Sequence, residues 1–107
     1  MSKISINYDN KDYVLEYNRQ SVKLMEGQGF VLDEISSKPM TMIPMLFNGA
    51  FIKNHRGMKR AVIDEIFSEI SDKTAFIEAL MTMYAETLST LTEDKEAEGN
   101  AVWTVVK

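Results

Sequence analysis

ISINYDNKDYVLEY, residues 4–17, decides whether the chain is all-helical or mixed. Ile4, Ile6 and Tyr8 alternate with polar residues, and after a break Tyr13, Leu15 and Tyr17 do the same. A period of two places each set on one face of a strand. The break, Asp9-Asn10-Lys11, carries the two side chains that best tolerate positive φ after glycine, so turn chemistry and periodicity agree on a β-hairpin.

Moving outward from the hairpin, the spacing turns helical. Asn18 is placed to cap a short helix from Arg19 to Glu26, with Val22 and Met25 on one side and Gly27 or Gly29 ending it. Phe30, Val31 and Leu32 pack where the chain turns. Pro39 disfavours helix at Lys38, and Thr41 is positioned to cap a second helix beginning near Met42 with Pro44 in its first turn. Ile43, Leu46, Phe47, Ala50 and Phe51 form its apolar stripe, and Gly49 permits close approach of another backbone. After Gly57, Ile63, Ile66, Phe67 and Ile70 define a third helix ending around Ser71. Asp72 or Thr74 then caps a longer fourth helix whose face holds Ile77, Leu80, Met81, Tyr84, Leu88 and Leu91. The expected fold is α+β: an N-terminal β-hairpin, about four α-helices, and a C-terminal tail. Residues 1–91 make the domain, and 92–107 divide into an acidic linker, TEDKEAEGN, and an apolar tip, AVWTVVK. The tip either docks as an added strand on the hairpin or a neighbouring subunit, or frays.

The chain has 107 residues, enough for one modest core. Its apolar runs are far shorter than the roughly 20 residues of a membrane span, and MSKISINYDN lacks the apolar stretch of a signal peptide, so a cytoplasmic protein is expected. Without cysteine there is no disulfide, thiolate catalysis or cysteine-ligated metal. The net charge of −4 hides an asymmetry. Residues 1–63 carry nine Lys/Arg against six Asp/Glu, and residues 64–107 carry three against ten, so the halves stand at +3 and −7. A bipolar chain is compatible with head-to-tail self-association.

Catalytic equipment is sparse. The single histidine, His55, fits helix-end capping or plain exposure better than acid–base work. Asp64-Glu65 and the Glu93–Glu98 cluster lack calcium-loop spacing, and no phosphate-binding glycine motif occurs. No catalytic, cofactor or metal site is expected. Partner binding is the stronger theme in SSKPMTMIPMLFNGAFIKNHRGMKR, residues 36–60, which contains no acidic residue. Met40, Met42 and Met45, with Phe51 beneath, are candidates for an adaptable apolar groove, although methionines also serve as core filler. Lys53, Arg56, Lys59 and Arg60 form a basic patch. With no interleaved aromatics in an acidic chain, the patch suits an acidic protein surface better than nucleic acid. Trp103 and Val105 are the candidate contacts in the tail, and no membrane contact is expected.

Together, YVLEYNRQSVKLMEGQGF, SSKPMTMIPMLFNGAFIKNHR, RAVIDEIFSEI and EGNAVWTV resemble the small tail assembly chaperones of long-tailed phages and prophages. The resemblance spans nearly the whole chain and rests on pattern and motif order, with no active-site residue to carry over. It implies a small, largely helical, oligomerising, non-enzymatic protein that coats the tape measure protein before the tail tube polymerises. It also implies contacts with other tail proteins, location in the host cytoplasm, and absence from the finished virion. Members often add a longer product by programmed frameshifting near the end of the short frame, and Glu98-Gly99-Asn100 is compatible with a slippery heptamer there. Two other readings stay open: a small acidic prophage-encoded inhibitor of a host nucleic-acid-handling or defence protein, and a structural tail or head-completion protein.

Overall fold

The computed structural model describes residues 3–91, 101 and 103–106. The expected linker at residues 92–100, including Glu98-Gly99-Asn100, lies outside them. The fold is the expected α+β arrangement, with β1 (Ile4–Tyr8) and β2 (Lys11–Leu15) followed by four helices: α1 (Arg19–Gly27), α2 (Pro39–Gly49), α3 (Arg60–Ser68) and α4 (Lys73–Ser89). A single 3₁₀ turn at Leu32–Glu34 precedes α2.

The hairpin closes through Asp9 and Asn10, with φ of 52° and 62°. Two consecutive positive φ values are the requirement of a type I′ turn, whose twist matches that of the strands it joins. The strands pair antiparallel with Tyr8 opposite Lys11, Ile6 opposite Tyr13 and Ile4 opposite Leu15. Ile4, Ile6 and Tyr8 pack against the core from its edge.

Asn18 caps α1 as its sequence position requires: its side chain accepts from Ser21 N–H at 2.7 Å, and Ser21 Oγ accepts from Asn18 N–H at 2.9 Å. This reciprocal box satisfies two end donors that α1 itself leaves over. Past its C-cap Gln28 the chain turns away at Gly29, whose φ is +98°. Phe30 N–H returns to Met25 O and Gly29 N–H to Glu26 O, each at 3.0 Å. The pattern is a Schellman motif, and the buried Phe30 and Met25 supply its apolar contact.

α2 begins earlier than expected. Pro39 itself occupies the first turn and Lys38 the N-cap position, so Thr41 is not the cap and Pro44 lies inside the helix. Proline fits the first helical position because its nitrogen has no intrahelical bond to lose. At Pro44 the missing N–H withholds a partner from the carbonyl of Met40, which sits on a residue exposed to water. α2 touches each of the other three helices. Leu46 and Phe47, with Ala50 and Phe51 just past its end, are buried at its centre. Phe47 stacks edge-on with Phe51 at 5.0 Å and Phe76 at 5.6 Å, with Phe67 tilted at 5.1 Å. Gly49 gives room for close approach, though of a side chain and not of a backbone: a Cβ there would collide with Met25 Sδ.

One helix boundary also shifts: α3 ends at Ser68, leaving Ile70 beyond it. α4 follows Asp72, one of the two expected cap positions, which adopts φ of +51° and makes no side-chain cap bond. Thr74 lies within α4. Its buried residues are Leu80, Met83, Tyr84 and Thr87, so Met83 and Thr87 join the core and Leu91 is left exposed. Among the described residues, no helix is long and apolar enough to cross a membrane.

Candidate functional site

Residues 50–59 leave α2 and reach α3 through a run of turns, and side chains on this segment clip it to the outer edge of β2. Glu16 N–H donates to Ala50 O at 3.1 Å. Val14 N–H donates to His55 Nε2 at 2.9 Å, and Asn54 Nδ2 donates to Val14 O at 3.2 Å. His55 is therefore neither exposed nor a helix cap. It accepts through Nε2, and its ring packs on Tyr13 at 5.3 Å between centroids.

Glu16, just past β2 and between the core residues Leu15 and Tyr17, is buried as well. Lys53 Nζ donates to Glu16 Oε2 at 2.8 Å, and Asn54 Nδ2 donates to Oε1 at 3.0 Å. These two bonds, Lys53 first, hold the Glu16 carboxyl below its ordinary range against the opposing effect of burial. The basic patch thus divides. Lys53 is a structural cation, whereas among the described residues no acidic group pairs with Arg56, Lys59 or Arg60.

Arg56 and Arg60 border an open cleft of about 310 Å³ between the end of α1, the 50–59 segment and the start of α3. Leu24, Phe51, Ile52, Met58 and Ile63 supply its apolar lining. Gly57, at φ of +95°, turns the chain sharply between Arg56 and Met58 so that both line the same opening. An apolar floor with cationic edges suits a chain that is apolar on one side and acidic at its margins, such as an amphipathic helix. Leu24 is 42% exposed, a leucine left facing water on the helix whose Val22 and Met25 are buried.

The expected methionine groove does not form here. Met42 is buried and its sulfur accepts from Val31 N–H at 3.5 Å. Met45 is half-buried, Met40 is exposed, and none of the three lines this cleft. Helical geometry explains the dispersal, since residues two apart on a helix point roughly 200° from one another. Phe51 does lie beneath an opening, but one bounded by α1 and α3. Trp103 and Val105 are exposed and belong to no strand. The cleft's contributions from Leu24, Ile52 and Met58 were missed because they come from segments far apart in sequence; the one local signal was the basic run beginning at Lys53.

Fold and site define a hairpin-plus-helices α+β domain with an arginine-edged apolar cleft. The chain belongs to the family described as Domain of unknown function (DUF5055), which matches residues 1–106. No curated protein and no solved structure matches it.

Proposed function

We propose that this chain is a non-enzymatic phage tail assembly chaperone that holds the tape measure protein soluble during tail tube assembly. The observation that supports it is the open cleft, in which the apolar Leu24, Ile52 and Met58 lie beside two arginines that have no acidic partner among the described residues. A long helical client exposes apolar stripes before assembly, and burying such a stripe is favourable at about 25 cal/mol per Å² of apolar area before ordering costs. Arg56 and Arg60 add long-range attraction to acidic positions flanking the stripe, which speeds encounter and orients the client. The resemblance in motif order to tail assembly chaperones supplies the identity of that client.

Co-expression with the tape measure protein of the same phage or prophage tests the proposal. The expected result is a soluble complex with the wild-type chain that is lost with the Arg56→Glu/Arg60→Glu double variant. An insoluble client with no recoverable complex would overturn it.

A further inference from the structure

Among the described residues, one edge of the hairpin is left unoccupied. Tyr8 and Lys11 flank the two-residue turn and exchange both hydrogen bonds, so alternation aims the main chains of Ile4, Ile6 and Tyr8 at β2. Those of Ser5 and Asn7 face outward. The same alternation aims Val14 and Glu16 outward from β2, where Ala50, Asn54 and His55 meet them. On β1 nothing equivalent occurs: no described residue bonds to the main chain of Ser5 or Asn7.

The tail carries a segment of matching kind, whose described residues, Ala101 and 103–106, belong to no strand. Ala101–Val106 is rich in strand formers, with Trp103 80%, Val105 70% and Val106 91% exposed. At six residues it is long enough to span the five of β1. We propose that the β1 edge accepts residues Ala101–Val106 of a second copy of this chain as a third strand.

Parity gives the arrangement its face. Outward bonds come from Ser5 and Asn7, whose side chains are exposed, so the residue paired with either lies on the solvent side. Thr104 suits that place. Trp103 and Val105 then join Ile4, Ile6 and Tyr8 on the half-buried face, which removes the largest exposed apolar side chain of the tail from water. The occupant is a second copy because, among the described residues of one chain, neither the β1 edge nor Ala101 and residues 103–106 belong to any further strand pairing. Charge agrees: the segment follows Glu93, Asp94, Glu96 and Glu98, whereas the half of the chain bearing β1 is net positive. Edge and strand are different surfaces, so the contact is heterologous and propagates head to tail. This interface is independent of client binding at the cleft.

Two full-length variants isolate the halves of the contact. Ser5→Pro removes an outward N–H while leaving the β1–β2 bonds intact, a position where an edge strand tolerates proline. Trp103→Asp spoils the donor segment without touching the core. With circular dichroism confirming both folds, light scattering after size exclusion should show wild-type oligomers growing with concentration and each variant as a monomer. Mixing the variants should restore a single heterodimer, because the Ser5→Pro chain still donates a strand and the Trp103→Asp chain still accepts one. Trp103 is the only tryptophan, so its emission should shift to the blue on forming that heterodimer. A monomeric wild type, variants that keep the wild-type size, or a mixture that stays monomeric would overturn the proposal. If Ser5→Pro proves unfolded, Asn7→Pro replaces it with the same expected outcomes.

Discussion

Replacing Lys53 by alanine tests whether this lysine holds the fold together rather than serving a partner. The lysine side chain is 37% exposed and Glu16, its partner at 2.8 Å, only 9%. A hydrogen bond to a charged group contributes about 1.5–3 kcal/mol, and solvent screening at the exposed lysine end reduces this to about 1–2 kcal/mol. For a domain of this size that corresponds to a fall in Tm of roughly 5–15 °C. Thermal unfolding followed by circular dichroism measures it, and Arg60→Ala, which breaks no ion pair among the described residues, serves as the control with Tm unchanged. The pH dependence has a definite sign. Glu16 is held below its ordinary value of 4.5, so its paired, ionised form stabilises the native state above that value and the benefit is lost as pH falls through the lowered pKa. The difference between wild type and Lys53→Ala should therefore be full at neutral pH and close in acid. A double-mutant cycle with Glu16→Gln separates the pairwise contribution from lost packing of the lysine stem. Equal melting temperatures at neutral pH, or a gap that acid leaves unchanged, would refute the assignment of Lys53 to the fold.

Three further substitutions probe the scaffold that positions the cleft. Tyr17→Phe removes a buried hydroxyl that donates to Leu46 O at 2.6 Å, and leaving that carbonyl unpaired should cost about 1–3 kcal/mol in denaturant unfolding. Asn18→Ala removes the α1 cap and should cost about 0.5–2 kcal/mol in the same assay. Gly49→Ala forces its new methyl against the fully buried Met25 and should cost about 1–3 kcal/mol, with Met25→Ala in the same chain relieving the clash.

The hairpin was legible because three signals coincide at residues 4–17: alternation, turn residues tolerant of positive φ, and enough length. α1 was legible because Asn18 and Gly29 mark its ends by well-defined local chemistry. α2 misled at its start because two prolines compete for the first turn, and Pro39 fits that position as well as Pro44 does. The burial of Glu16 was invisible locally, since the groups that satisfy it, Lys53 and Asn54, lie more than thirty residues away. For the same reason His55 read as an exposed or capping residue, when its partner is the main chain of β2. Of the candidate contacts, Arg56 and Arg60 reach the cleft, whereas Lys53 turns into the fold and Met42 into the core. Composition marks a basic segment, but only the path of residues 50–59 decides which cations are left for a partner.

The cleft's role is tested most directly by amide chemical-shift mapping of the isotope-labelled full chain during titration with a purified helical segment of the tape measure protein. Shifts are expected to concentrate at Leu24, Gln28, Arg56, Met58, Arg60 and Ile63, and to weaken as salt is raised because the arginines are screened. No shifts, or shifts centred on the exposed first turn of α2 at Met40, would contradict it.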